Sequence, residues 1–216
     1  MQTSKTTAPY IADLEALSDE ALLGALSQTP SHTIGCVNWA KEFPYAPSVK
    51  FHIAHSKNAL AVLFEVEEEH LRAVTLENNG PVWEDSCVEL FIRNPKGEGY
   101  FNFEINCVGT ALAASRRSRN DATMFTEEQI AQIRRIGSLP HQKMDNTEGG
   151  KWWLLEVVSF SLLGLEEAPE SIDANLYKCG DGCQRAHFLS WSPIALPTPN
   201  FHCPEFFGSI EMAKSE

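Results

Sequence analysis

The chain reads as all-β, an antiparallel sandwich or barrel with a short N-terminal helix and one inserted helix, and three observations lead there. Many segments alternate apolar and polar residues or are rich in Val, Ile and Phe, with Gly, Pro or Asn between them. Few stretches carry helical spacing. The 216 residues are 43% hydrophobic, with 12 Phe and 5 Trp, enough to bury a sizeable core, and the 21% charged content argues against a disordered, collagen-like or coiled-coil chain.

Taken in order, Ser18-Asp19-Glu20 forms a helix start, and Ala21, Leu22, Leu23, Ala25 and Leu26 follow at helical spacing, which predicts a helix over 18–27 that Pro30 stops. Residues 1–35 are therefore expected to form an N-terminal extension to a single domain over 36–216. Strands are predicted at 49–54, 59–67, 86–93, 100–106, 109–115, 152–160, 172–178, 188–190 and 208–212. One helix interrupts them near 126–135, where Thr126 and Gln129 fit a capping box and Ile130 and Ile133 mark an apolar edge.

Two strands separate their faces clearly. A period of two puts Val88, Leu90 and Ile92 on one face and Glu89 and Phe91 on the other. In the next strand Phe101, Phe103 and Ile105 oppose Tyr100, Asn102, Glu104 and Asn106. On pattern alone that polar face reads as solvated; its carboxylates, amides and tyrosine are also the groups that hold sugar hydroxyls.

Charge and motifs narrow the function. A formal charge of −12 repels phosphate backbones, so nucleic acid is not an expected partner. The polar amino terminus lacks a signal-peptide pattern and the apolar runs are too short to span a bilayer, so the chain as it stands is expected to be cytoplasmic without membrane insertion, or secreted or periplasmic if a leader has been removed. Nucleotide-binding, metalloprotease and serine-hydrolase fingerprints are missing. Glu84-Asp85 is a formal candidate pair for glycoside hydrolysis, but so many acids make accidental pairs unavoidable. Six cysteines are too sparse for a disulfide scaffold and are expected to be mostly unpaired; Cys179-Gly-Asp-Gly-Cys183, with His187 and Cys203 as conceivable further zinc ligands, reads better as a Gly-rich turn with two free thiols. His52 and His55 are expected at the surface, and Arg116-Arg117-Ser118-Arg119 as a solvated loop cluster. Met124, Met144 and Met212 leave haem ligation open without an attachment motif. Of the five tryptophans, Trp83 stands apart: it follows the turn-forming Asn78-Asn79-Gly80-Pro81 and precedes the strand of Glu89, where a flat ring at a sheet's rim can stack on a pyranose.

Several runs in sequence, Val82–Ile92, Tyr100–Asn106 with Gly109, Trp152–Glu156, Ser190–Pro193 and Phe201–Gly208, resemble carbohydrate-binding module family 9, over about 36–212. Within it, the chain is most similar to stand-alone bacterial members. The resemblance implies a jelly-roll-type β-sandwich of the kind shared with DOMON domains, which bind sugars or haem without being catalysts. It implies a mono- or oligosaccharide partner whose terminal unit is clamped by two aromatic rings and bonded by polar side chains. Trp83 matches the first ring and Glu89 the carboxylate, with Asn102 and Glu104 beside them. Tyr177, close behind Asn175, is the preferred second ring, followed by Trp191 and Trp152. No catalytic residue and no cofactor is implied, apart from a structural calcium that some members carry, for which no compact loop is evident here. A glycoside-processing enzyme and a haem-binding domain are the alternatives.

Overall fold

The computed structural model describes residues 3–215 and bears out the β-sandwich. The strands are β1 (Lys5–Ala8), β2 (Ser31–Thr33), β3 (Ser48–His55), β4 (Ala59–Ala73), β5 (Cys87–Arg93), β6 (Tyr100–Asn106), β7 (Ala111–Ser118), β8 (Asp121–Met124), β9 (Arg134–Gly137), β10 (Met144–Ser159), β11 (Ser171–Cys179), β12 (Phe188–Ser190) and β13 (Gly208–Met212). One sheet runs β1-β13-β11-β5-β6-β7-β8, with β12 also on β11; the other runs β2-β3-β4-β10-β9. Pairing is antiparallel except between β1 and β13. Residues 1–35, expected as an extension, supply β1 to the first sheet and β2 to the second.

Helix α1 (Asp19–Ser27) begins where the sequence places it, with Ser18 Oγ accepting from Ala21 N at 3.2 Å. Its Leu22 and Leu26, one turn apart, are buried against the outer face of the second sheet among Ala61, Leu63 and Leu155. His52 and His55 are buried rather than at the surface, for different reasons: the turn after α1 covers His52, whose Nδ1 meets Thr29 O at 2.9 Å, while His55 lies on the opposite face under Tyr10 and its Nε2 meets Ala213 O at 3.0 Å. The second helix is corrected in length. The capping box of Thr126 and Gln129 starts it, but α2 spans only Glu127–Ile130. Arg134–Gly137 instead pairs with β10, where Ile136 joins the α1 cluster and Arg134 pairs with Asp19. Tertiary pairing overrides a weak helical preference there.

The main core lies between the sheets, built from Phe51, Phe64, Phe103, Trp152, Leu154, Leu176 and their neighbours. A second core covers the outer face of the first sheet. There, Trp39, Ile194, Phe201 and Phe207 pack over Phe91, Tyr100, Leu112 and Tyr177. Hydrogen bonds fasten this cover: Trp39 Nε1 donates to Leu196 O at 2.9 Å, and Asn38 Oδ1 accepts from Ile194 N at 2.8 Å. The face of Tyr100, Asn102, Glu104 and Asn106 is accordingly buried, not solvated. No helix among the described residues is long and apolar enough to cross a membrane.

Candidate functional site

The cover over the first sheet is incomplete, and a pocket of about 280 Å³ remains at one place. Its floor is the outer face of β5, β6 and β11. Glu89 and Glu104 sit directly opposite each other in the β5–β6 ladder, and Cys179 lies beside them. Trp83 stands on the rim, 38% exposed among otherwise mostly buried aromatic residues. Phe188, Phe201 and His202 form another wall, Arg116 and Arg119 come from the β7–β8 hairpin, and Asp181 follows β11.

Each part is held from behind. Trp83 occupies a single helical turn, Val82–Glu84, pinned by Asp181 N and Gly182 N, which donate to Trp83 O at 3.2 Å and Glu84 O at 2.9 Å. The next residue, Asp85, is fully buried; its carboxylate accepts from Arg72 Nη1 at 2.5 Å, Val74 N at 3.0 Å, Thr75 N at 3.0 Å and Asn106 Nδ2 at 3.0 Å. Asp85 thus fixes the loop that displays Trp83, and the Glu84-Asp85 pair is no hydrolytic dyad in this pocket. On the floor, Cys179 Sγ donates to Glu89 Oε1 at 3.0 Å and Asn102 Nδ2 donates to Glu104 Oε1 at 2.8 Å. Arg116 Nε donates to Asn102 Oδ1 at 2.9 Å, so the guanidinium reaches Glu104 through an amide. Gly99, at φ +89, lets the backbones of β6 and β7 close together at Arg116, whose carbonyl a side chain there would strike.

Burial raises both floor carboxyls above the ordinary carboxylate range, with Glu104 adding to it at Glu89 and Asp181 at Glu104; the Cys179 thiol partly opposes this at Glu89, as Asn102 and Arg116 do at Glu104. Burial, with Glu84 nearby, lifts Asp181 to about 6. Burial followed by Arg116 and Arg119 pushes His202 down to about 3, leaving a neutral imidazole whose Nδ1 is 2.8 Å from Tyr100 Oη. The pocket therefore combines an exposed ring, closely spaced oxygen acceptors and cationic donors.

Of the residues expected at the site, Trp83, Glu89 and Glu104 line the pocket, and Asn102 stands directly behind it. The other three are elsewhere. Tyr177 is fully buried, stacked on Phe201 with ring centroids 4.1 Å apart, and donates to Phe201 O at 3.1 Å; it supports a wall and presents no ring. Asn175 Oδ1 accepts from Ser192 N at 2.8 Å and Leu176 N at 3.0 Å, fixing backbone. Trp191 packs on Phe51 in the main core, and Trp152, the remaining alternative, is also buried there. The expectation of a solvated loop for Arg116 is corrected: β7 continues through Ser118, and its alternation from Leu112 through Ala114 puts Arg116 on the pocket face. Phe201, His202 and Asp181 come from irregular segments, where periodicity carries no signal.

All six cysteines are free thiols. Among the described residues, one group of three possible metal ligands converges, Cys87, Glu89 and Cys179. The structural calcium implied by the resemblance does not fit this set, because calcium takes 6–8 oxygen ligands, roughly, and two of these donors are sulfur.

Comparison with known proteins agrees with this architecture. A family model described as carbohydrate-binding family 9 matches residues 18–212. A crystal structure from Bacteroides uniformis ATCC 8492, of a protein proposed to bind carbohydrate, superposes with a TM-score of 0.92 at 32% identity, covering 98% of this chain and 100% of that one. Two structures of a family 9 module from Caldicellulosiruptor kristjanssonii share the fold at lower identity. The glucose complex gives a TM-score of 0.63 at 13% identity, covering 99% of this chain and 97% of that one. The cellotriose complex gives 0.65 at 12%, covering 99% and 95%. No curated protein matches the chain. With the family model spanning nearly its whole length, this chain belongs to carbohydrate-binding family 9.

Proposed function

We propose that the protein is a non-catalytic saccharide-binding protein that takes a terminal sugar unit into the pocket beneath Trp83. The observation that carries this reading is the combination of a half-exposed indole on the rim with two paired carboxyls on the floor. The ring offers an apolar face to the C–H side of a pyranose, and the carboxyl oxygens accept from its hydroxyls. Phe201, already braced by Tyr177, takes the place that sequence reasoning gave to Tyr177 as the second aromatic contact. The volume, near the lower end of ligand pockets at roughly 300–1,000 Å³, favours one end of a glycan over an internal stretch. Family membership and the glucose and cellotriose complexes of the Caldicellulosiruptor module support the ligand class. Glu89 and Glu104 lie side by side on one face, whereas a glycosidase places its two carboxyls on either side of the scissile bond.

A glycan array probed with labelled protein is expected to light up a restricted set of saccharides sharing one terminal unit. Uniformly blank spots would overturn the proposal. Chromogenic glycosides are expected to remain intact; turnover abolished by Glu104→Gln would replace binding with hydrolysis.

A further inference from the structure

We propose that Cys87, Cys179 and Glu89 form a binding site for a thiophilic divalent cation of the zinc class, at the base of the pocket. The two cysteines are direct partners across the β5–β11 ladder, and Glu89 lies two residues beyond Cys87 on the same strand face. Their donor atoms all lie within 4.8 Å of one another, and the Cys179 thiol already contacts Glu89 Oε1 at 3.0 Å. With zinc–sulfur distances of about 2.3 Å and zinc–oxygen distances of about 2.0–2.2 Å, tetrahedral ligands stand about 3.5–3.8 Å apart, so closure onto an ion asks only for small side-chain movements.

The donor set selects the ion. Two thiolates and one carboxylate suit zinc and disfavour calcium and magnesium, which take oxygen ligands. The pairing also differs from the one that sequence spacing offers. Cys183, four residues after Cys179, turns toward Ser86 Oγ at 3.8 Å, and Cys203 contacts Asn200 O at 3.2 Å. The charge balance favours a cation too. Lys178 precedes Cys179 but points to the opposite face of β11, where Glu68 occupies it at 3.1 Å, so its ammonium does not reach between the three acidic groups. Cys179 and Glu89 open onto the pocket, which supplies an entry path. Binding releases to solvent the two thiol protons and the proton that Glu89 carries when neutral, and three protein ligands leave a fourth position for water. The proposal does not depend on the saccharide reading.

The test is titration of cobalt(II) into the reduced full-length protein without any saccharide. The expected result is one equivalent bound with a sulfur-to-cobalt charge-transfer band and tetrahedral visible absorption, both displaced by zinc. Cys87→Ser and Cys179→Ser should each abolish the charge-transfer intensity or weaken binding about tenfold or more, whereas Cys36→Ser should leave it intact. X-ray absorption of cobalt bound to the unaltered protein should count two sulfur neighbours, a reading that does not rely on the variants folding. A cobalt spectrum lacking sulfur ligation, or a charge-transfer band that persists undiminished in folded Cys87→Ser, would overturn the proposal.

Discussion

Strand β11 carries a buried polar cluster on each of its two faces, and the two are built to opposite specifications. Toward the inter-sheet core, Lys178 Nζ is 3.1 Å from Glu68 Oε2, 2.7 Å from His187 Nε2 and 2.9 Å from Cys179 O. Glu68 Oε1 accepts from Trp152 Nε1 at 2.8 Å, and His187 Nδ1 faces Arg185 O at 2.8 Å. Burial disfavours the Lys178 ammonium, but Glu68 and nearby thiols more than offset it and hold its pKa above the ordinary lysine value. Burial, then Lys178, holds His187 well below the usual range, so it is the neutral acceptor. Toward the outer face, Glu89 and Glu104 stand opposite each other, burial and Glu104 push the Glu89 carboxyl up, and a cavity stands over them. The inner cluster supplies its own counter-charge. The outer one leaves its acceptors facing space that a ligand can fill, which is what separates a structural network from a binding site.

The largest effect is expected for Lys178→Met. Removing the ammonium strands the Glu68 carboxylate in the core, which is expected to cost about 3–5 kcal/mol of folding stability. Denaturant unfolding measures it, and a variant as stable as the parent would remove the contrast between the clusters.

Glu156 sharpens the comparison as a buried acid that belongs to neither design. It lies on β10, and neither of its oxygens has a hydrogen-bond partner among the described residues. Burial, only partly opposed by Arg135, pushes its pKa up to about 8 from an ordinary value of 4.5. The native state therefore binds more protons than the unfolded chain, and stability is lost as pH rises from about 4.5 to about 8. Near neutrality the loss is about 3 kcal/mol, counting roughly 1.36 kcal/mol per unit. Glu156→Gln should recover much of this and flatten the difference between unfolding curves taken across that pH interval. An unchanged pH profile would show that the acid is not held neutral.

The smallest effect expected is at Tyr177, which lies behind the outer site. Tyr177→Phe keeps the stack on Phe201 and removes only the bond to its carbonyl, so stability should fall by about 0.5–1.5 kcal/mol. A direct ligand contact would instead show as lost saccharide affinity at unchanged stability.

The sandwich was legible in the sequence because packing between the sheets makes every second residue of β3, β5 and β6 apolar, while the outer faces alternate with polar or mixed residues even where they too are buried. The short β1, β2, β8 and β9 were not, since three or four residues alternate too weakly to be read, and β1 in addition pairs with β13 near the other end of the chain. At the site, Trp83, Glu89 and Glu104 could be read because turn chemistry and alternation fix their positions. Tyr177 misled for a physical reason. Its strand face is correct, but residues 194–207 fold over that face and seal the ring, and nothing local in β11 encodes that cover.

Saccharide binding beneath Trp83 is tested most directly by calorimetric titration of an array-identified saccharide into the parent protein and Trp83→Ala, paired with their melting curves. Because Trp83 is 38% exposed and its turn is held by backbone contacts, the expected result is an affinity loss of about 1–3 kcal/mol with nearly unchanged melting. Equal affinity, or a stability loss of about 3–5 kcal/mol as expected for a ring removed from a core, would contradict it.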